Sequence, residues 1–185
     1  MPDYIGQQFG NYRLTRLLGE GGFAQVYLGE HIYLETAAAI KILLRNFSEK
    51  SLQDFLTEAR TIARLRHPQM VRVLEFGIEH NVPFLVMTYA PYGTLRQRHP
   101  KGSIVELAKV VSYVQQVASA LQYVHDNRLI HCDVKPGNML LGRNDEVLLS
   151  DFGVAVTAHS SISESVQKIG RSDHDRAGER TTGTF

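Results

Sequence analysis

The chain has 185 residues, of which 43% are hydrophobic, so it is long enough for about one domain and apolar enough to build a core. Its 20 Lys and Arg residues and 19 Asp and Glu residues leave a net charge of +1, which excludes a global field that would recruit nucleic acid or an anionic membrane. The single cysteine excludes an intrachain disulfide, and no apolar run approaches the ~18 residues of a membrane span. We therefore expect a cytoplasmic protein with no nucleic-acid partner and no membrane segment in this chain.

The hydrophobic pattern predicts strands first and helices later. Residues 11–44 mix apolar and polar types as half-buried strands do. Apolar residues then recur every three or four positions over 51–65 and again over about 105–126, which predicts two amphipathic helices packed on a core. Further strands are predicted at 71–77, 83–89, 139–141 and 147–149, and the polar composition from residue 157 onward predicts a loop or a disordered tail.

Gly19, Gly21 and Gly22 form a glycine-rich segment between two predicted strands. A loop without Cβ atoms lets backbone amides approach a polyphosphate closely. A dinucleotide-binding fold would need a helix after the glycines, whereas residues 25–28 alternate like a strand. The pattern favours a glycine hairpin over nucleotide phosphates, with an ordinary hairpin turn as the alternative.

Lys41 lies inside the apolar segment 37–43, where an ammonium group is costly to bury without an anionic partner. Glu58, on the first predicted helix, could supply a carboxylate, and a phosphate of ATP could supply the remaining negative charge. The alternative is that Lys41 reaches solvent from an edge strand and that Glu58 is solvated.

Two polar segments give the strongest indication of function. They are His131-Cys132-Asp133-Val134-Lys135-Pro136-Gly137-Asn138 and Asp151-Phe152-Gly153. The strands predicted between them would fold as a hairpin and could bring Asp133, Asn138 and Asp151 around one site. Such a site offers oxygen ligands for Mg²⁺ and a free carboxylate for a hydroxyl nucleophile. The alternative assigns His131 to the core and the other residues to ordinary turns.

The glycine loop, strand lysine, helix glutamate, catalytic loop and Asp-Phe-Gly segment occur in the order of the protein kinase family, which the chain resembles from about residue 12 to 185. A lysine two residues after the aspartate, here Lys135 after Asp133, is typical of the Ser/Thr branch of that family. The whole sequence is similar to bacterial eukaryotic-like Ser/Thr kinases. The resemblance implies an α+β fold with an antiparallel-sheet small lobe, one main helix in that lobe, and an incomplete, mainly helical large lobe.

The resemblance also implies a domain division. It places an N-terminal extension at 1–11, the small lobe at 12–90 and the large lobe at 91–185. Gly183-Thr184-Phe185 resembles the start of the family's segment ahead of Ala-Pro-Glu, so we expect a chain truncated in its activation segment. The apolar stripe over 107–124 would then be partly uncovered, and a protein partner could cover the incomplete lobe.

The implied activity is an ATP-dependent Ser/Thr protein kinase that phosphorylates a Ser or Thr hydroxyl of a protein substrate. By resemblance, Lys41 binds the α- and β-phosphates and pairs with Glu58. Asp133 orients the substrate hydroxyl and accepts its proton, and Lys135 steadies the phosphoryl group. The implied Mg²⁺ ligands are Asn138 and Asp151, and the implied ATP contacts are Gly19, Gly21, Gly22, Val26, Ala39, Lys41, Met87, Tyr89, Ala90 and Leu140.

The sequence departs from the family pattern at Cys132, where most members have an arginine that receives an activation-loop phosphate, so we expect that switch to be missing. Two other functions remain open. One is an inactive ATP-binding or interaction fragment, a pseudokinase-like remnant. The other is a small-molecule phosphotransferase of the aminoglycoside kinase type, against which Lys135 and the Gly183-Thr184 ending argue.

Overall fold

The computed structural model describes residues 3–22, 24–44, 49–151 and 156–157. Within the first long helix, the side chain of Glu58 lies outside the described part. Phe152 and Gly153 also lie outside it, as does the predicted tail after Thr157, with its 183–185 segment. No helix within the described ranges is long and apolar enough to cross a membrane.

A six-stranded antiparallel sheet dominates the N-terminal part of the chain. Its strands are β1 (Gln8–Phe9), β2 (Tyr12–Glu20), β3 (Ala24–His31), β4 (Ala37–Leu43), β5 (Val73–Glu79) and β6 (Val82–Thr88), in the spatial order β1-β2-β3-β4-β6-β5. Helix α1 (Glu49–Ala63) connects β4 to β5 along the chain and packs against β5. This arrangement is an antiparallel small lobe with one main helix.

Aromatic residues anchor the core of this sheet. Phe9, Tyr27 and Phe84 are buried, and the rings of Phe9 and Phe84 meet edge to face with centroids 5.5 Å apart. Such a pair contributes about 0.5–1.5 kcal/mol beyond the apolar area that it buries. Residues 8 and 9, within the segment expected as an N-terminal extension, thus add a strand and a core side chain to the small lobe.

The remaining elements belong to a second, more helical layer. They are α2 (Leu95–Arg98), α3 (Leu107–Asp126), β7 (Leu129–Ile130), a 3₁₀ turn at Pro136–Asn138, β8 (Met139–Leu141), β9 (Val147–Leu149) and β10 (Val156–Thr157). Strands β8 and β9 form a hairpin, and β7 pairs with β10. Helix α3 packs against β7 and β9 through a buried face that comprises Tyr113, Val117, Ala120 and Val124.

A loop joins the two layers at residues 66–72, between α1 and β5. The Val71 amide donates to the Leu149 carbonyl at 3.0 Å, and the Leu149 amide donates to the Gln69 carbonyl at 2.9 Å. On the other side, the Thr88 amide at the end of β6 donates to the Arg72 carbonyl at 3.0 Å. The 66–72 loop therefore fixes the sheet relative to β9, which leads directly into Asp151.

The helices predicted at 51–65 and 105–126 are confirmed as α1 and α3, and the strands predicted at 139–141 and 147–149 are confirmed as β8 and β9. The prediction of a loop from residue 157 is wrong at its first residue, because Thr157 pairs in β10 with Leu129. Two-residue strands of this kind are too short to show a periodic pattern.

Helix α2 was not predicted, although a sequence signal for it exists. The Thr94 hydroxyl accepts a hydrogen bond from the Gln97 amide at 3.1 Å, and the Gln97 side chain accepts one from the Thr94 amide at 2.8 Å. This is a capping box, which a Thr followed three residues later by Gln can indicate.

One face of α3 carries exposed apolar side chains. Leu107 is 76% exposed and Val114 is 60% exposed, and Val111 lies between them on the same face. The expectation that the stripe over 107–124 is only partly covered agrees with this exposure.

Candidate active site

Asp133 lies at the centre of a compact polar cluster. Its Oδ2 accepts hydrogen bonds from Lys135 Nζ at 2.7 Å and from Asn138 Nδ2 at 2.8 Å. Asn138 Nδ2 also lies 2.9 Å from the Asp133 carbonyl oxygen, so one amide group holds both the backbone and the side chain of Asp133. The structure thus brings together three of the residues to which the sequence assigned chemistry.

These hydrogen bonds lower the pKa of Asp133. The hydrogen bond from Lys135 contributes most and that from Asn138 comes next, while desolvation opposes them. Because both bonds favour the charged form, Asp133 is a carboxylate at neutral pH. A carboxylate in this position can accept a hydrogen bond or a proton from a hydroxyl group.

Hydrogen bonds of the buried residues His131 and Ser150 fix the 131–138 loop. His131 is 1% exposed, and its Nε2 donates to the Ser150 carbonyl at 2.9 Å. Ser150 in turn donates to the Asn138 carbonyl through its amide at 2.9 Å and its hydroxyl at 3.1 Å. Since Asp151 follows Ser150, the same contacts set the position of the chain at Asp151. Sequence reasoning missed Ser150, which has no motif-like spacing.

Lys41 and Asp151 join the two layers across the site. Lys41 Nζ lies 2.6 Å from Asp151 Oδ1, and the two side chains are 20% and 44% exposed. Lys41 is held in the middle of β4, where it pairs in register with Val26 of β3 and Leu85 of β6. Its expected pairing with Glu58 stays a prediction, because the Glu58 side chain is outside the described residues.

Two residues of the site adopt a left-handed backbone. Cys132 has φ of 62° and Asp151 has φ of 60°, a region that non-glycine residues rarely occupy. Such conformations cost on the order of 1–3 kcal/mol each and cluster at functional sites. The Cys132 side chain is exposed, and its Sγ lies 3.6 Å from the Ile130 carbonyl oxygen.

An apolar patch lies between the layers beside this polar cluster. Met87 and Leu140 pack against a buried group formed by Val71, Ala90 and Leu148. Met87, Ala90 and Leu140, three of the implied ATP contacts, therefore lie in one apolar patch although they come from different segments of the chain.

Other implied ATP contacts are neighbours of Met87 and Lys41 in the sheet or follow β6. Ala39 pairs with Met87 between β4 and β6, while Val26 pairs with Lys41 between β3 and β4. Tyr89 follows β6, and its hydroxyl lies 3.3 Å from an Arg16 guanidinium nitrogen on β2. Sequence reasoning missed Arg16, since the contact spans distant parts of the chain.

The glycine-rich loop closes β2 onto β3. The Gly21 amide donates to the Ala24 carbonyl at 2.9 Å, which makes a tight turn. A Cβ atom placed on Gly19 or Gly22 would meet no heavy atom of the described residues within 4 Å. Packing against the described residues therefore does not require glycine at these two positions.

Comparison with known proteins identifies the family to which the chain belongs. Residues 12–176 match the family model described as "Protein kinase domain". The chain is 30% identical over 182 residues to serine/threonine-protein kinase PrkC of Bacillus subtilis (strain 168), covering 97% of this chain and 28% of that protein. It is 35% identical over 153 residues to serine/threonine-protein kinase PknH of Mycobacterium bovis, covering 82% of this chain and 26% of that protein.

A eukaryotic relative is similar as well. Aurora kinase A-A of Xenopus laevis is 33% identical over 153 residues, which cover 82% of this chain and 38% of that protein. The chain thus spans 26% to 38% of the length of these three relatives. The α+β kinase fold expected from the motifs is confirmed, and the chain belongs to the protein kinase domain family.

Proposed function

We propose that this chain forms the ATP-binding and catalytic-loop part of a Ser/Thr protein kinase, which transfers the γ-phosphate of ATP to a protein hydroxyl. The observation that carries the proposal is the cluster in which Lys135 and Asn138 both donate to the Asp133 carboxylate. Because these donors keep the carboxylate ionised, it can orient an incoming hydroxyl and accept its proton. Lys135, 2.7 Å away, adds a positive charge that would steady the transferring phosphoryl group.

The nucleotide would lie between the sheet and the β8–β9 hairpin. Lys41 is the positive charge of β4 nearest to this space, and we assign it to the α- and β-phosphates. The loop that contains Gly19, Gly21 and Gly22 would lie over the phosphates, where the open space at Gly19 and Gly22 favours a close approach of backbone amides. Val26, Ala39 and Leu140 would enclose adenine, with Met87 at the back of the pocket and Tyr89 and Ala90 in the hinge.

The residues Asn138 and Asp151 fit a magnesium ion by their chemistry. Asn138 is buried and uses its amide nitrogen on Asp133, while its side-chain oxygen accepts no hydrogen bond within the described residues. Asp151 adds a carboxylate, of which one oxygen contacts Lys41. Magnesium prefers oxygen ligands and is commonly held by one or two protein groups together with phosphates and water. When bound, it would neutralise charge on the phosphates.

The lobe boundary proposed for the chain lies near residue 90. Residues 12–90 include five of the six strands of the sheet, and residues 91–151 include α2, α3 and the catalytic loop. The exposed apolar face of α3 suits a covering protein segment, which we propose as a partner surface of the large lobe.

Phosphate transfer by the purified chain tests the proposal. We would incubate it with Mg²⁺, γ-labelled ATP and a generic basic protein, and compare Asp133→Asn with Asp145→Asn as a matched control. Asp145 pairs with Lys109 on the surface and has φ of 64°, which asparagine tolerates. We expect transfer to fall by about 100-fold or more in Asp133→Asn, in line with the loss of a general base, and to be unchanged in the control.

Two outcomes would contradict the proposal. ATP binding with no transfer by the unaltered chain would favour the inactive, interaction-type alternative. Equal transfer by the unaltered chain and Asp133→Asn would show that Asp133 does not carry the reaction.

A further inference from the structure

A second charged site lies on the 66–72 loop, separate from the cluster around Asp133. An open cavity of about 300 Å³ is lined there by Arg66, His67, Pro68 and Arg72. That volume is at the lower end of the range for small-ligand pockets. Two of its four lining residues are arginines, which give it a positive character, and the kinase roles proposed above use neither of them.

Within the described residues, no ion pair neutralises the arginines of this cavity. The described part of the chain contains three ion pairs, and neither Arg66 nor Arg72 takes part in any of them. Burial lowers the pKa of His67, so its ring is neutral at pH 7 and the two arginines provide the charge. A cavity with two guanidinium groups and no described carboxylate partner suits an anion with two negative charges.

The backbone that carries these arginines is fixed by hydrogen bonds. The Arg66 amide donates to the Tyr123 hydroxyl of α3 at 3.0 Å, and the Arg72 carbonyl accepts from the Thr88 amide at 3.0 Å. Between them, His67 stacks on Tyr123 with ring centroids 5.2 Å apart. Because the loop is already ordered by these contacts, less conformational entropy is lost when an anion binds.

We propose that this cavity is a binding site for a phosphoryl group, presented either by free phosphate or by a phosphorylated Ser or Thr side chain. A phosphorylated side chain carries a charge of about −1.5 to −2 at pH 7 and three acceptor oxygens, which matches two arginines better than a singly charged carboxylate does. Arginine also binds phosphate through paired N–H groups, which gives geometric preference as well as charge.

Binding here would act on the loop that joins the two layers. The amide of Val71 and the carbonyl of Gln69 bond to Leu149, two residues before Asp151. An anion held by Arg66 and Arg72 would therefore tighten the contact between this loop and β9. The inference does not depend on the proposed kinase reaction, since it concerns a different cavity.

Fluorescence anisotropy with a labelled phosphothreonine peptide tests the site, and the same peptide without the phosphate is the control. The cavity variant is Arg66→Gln with Arg72→Gln, and the matched control is Arg60→Gln with Arg64→Gln. The control removes the same charge from two exposed residues outside the cavity, one in α1 and one directly after it. We expect the cavity variant to weaken binding of the phosphorylated peptide by about 10-fold or more and the control by less than about 2-fold.

Inorganic phosphate as a competitor distinguishes the two sources of the group. If inorganic phosphate and the phosphorylated peptide bind with equal affinity, the ligand is free phosphate. If the peptide binds at least about 10-fold more tightly than inorganic phosphate, the ligand is a phosphorylated side chain. Equal binding of the two peptides, or equal losses in the cavity variant and the control, would overturn the proposal. Lys41→Met separates this site from the nucleotide site, because binding that disappears in that variant belongs to the nucleotide site and also overturns the proposal.

Amide hydrogen exchange locates the site without relying on a variant that must fold. Added inorganic phosphate should slow exchange at Val71 and Leu149, whose amides donate across the contact between the loop and β9. Unchanged exchange at both amides under saturating phosphate would contradict the proposal.

Discussion

Lys41 Nζ and Asp151 Oδ1 lie 2.6 Å apart although 110 residues separate them in the chain. Lys41 belongs to the central part of the sheet, and Asp151 follows the β8–β9 hairpin of the second layer. This ion pair is therefore a direct electrostatic link between the two layers at the candidate active site. Both groups are partly exposed, so we assign the pair a positioning role rather than a large share of the stability.

The first prediction concerns nucleotide binding. Lys41→Met removes the ammonium group assigned to the phosphates and should weaken binding of a fluorescent ATP analogue by about 10-fold or more, which corresponds to about 1.4 kcal/mol. Lys109→Met, which breaks a surface ion pair with Asp145, is the matched control and should leave the affinity unchanged. Unaltered affinity in Lys41→Met would remove Lys41 from the site.

Asp151→Asn tests the proposed magnesium ligand in the same assay. The variant should bind the ATP analogue with equal affinity with and without Mg²⁺, because asparagine lacks the charge that favours the ion. A magnesium dependence equal to that of the unaltered chain would exclude Asp151 as a ligand.

The second prediction concerns the titration of Asp133. Its pKa lies below the ordinary value of 3.8 because Lys135 and then Asn138 donate hydrogen bonds to the charged form. The folded state thus binds this proton less readily than the unfolded state, so the contribution to stability is complete above the ordinary pKa and is lost as pH falls through the lowered one.

Lys135→Met should raise the pKa of Asp133 towards its ordinary value, since it removes the largest cause of the shift. The carboxyl ¹³C chemical shift of Asp133, followed by NMR against pH, measures this directly. An identical titration in the variant would mean that the contact with Lys135 does not hold the carboxylate in solution.

The third prediction separates glycines kept for packing from glycines kept for a ligand. A Cβ on Gly29 would lie 2.6 Å from Cγ1 of buried Ile40, so Gly29→Ala should lower the free energy of unfolding by about 1–3 kcal/mol. A Cβ on Gly19 or Gly22 meets none of the described residues within 4 Å, so alanine there should leave stability unchanged or raise it by about 0.4–1 kcal/mol.

Nucleotide affinity should respond in the opposite order. Gly19→Ala and Gly22→Ala should weaken ATP binding, because the added methyl groups occupy the space proposed for the phosphates. Thermal unfolding and ATP titration of the three variants together check this contrast, and full ATP affinity in both loop variants would contradict the assignment of the loop.

The fourth prediction concerns His67 and pH. Burial lowers the pKa of His67 below 6.5, and its Nδ1 accepts a hydrogen bond from the Gln69 amide at 3.2 Å, which requires an unprotonated Nδ1. Its contribution to stability should therefore be complete above about pH 6.5 and be lost as pH falls through the lowered pKa.

Thermal unfolding between about pH 5 and pH 7.5 measures this contribution, a range that brackets the ordinary histidine pKa. His67→Asn keeps an acceptor near the Gln69 amide but cannot be protonated. The stability of this variant should therefore fall less at low pH than that of the unaltered chain. The same pH dependence in both proteins would show that His67 is not the responsible group.

Much of the fold and of the site could be predicted from residue order. Helices α1 and α3 show repeated apolar spacing, and strands β8 and β9 are short apolar runs between turn residues, so local sequence decides their type. Asp133, Lys135 and Asn138 could be grouped because they lie within six positions, a distance that one loop closes by itself. Strand β7 and its pairing with β10 could not be predicted, since two residues carry no periodicity.

The sequence by itself determined the family, the order of the longer elements and the types of residue at the candidate active site, because these depend on local spacing and on side-chain chemistry. Only the tertiary structure decided which groups meet. It placed Lys41 against Asp151, used Ser150 to anchor Asn138, and brought Arg66 and Arg72 to one cavity. Such contacts depend on how the sheet, the 66–72 loop and the hairpin pack together, and packing is a property of the whole chain that no short segment encodes.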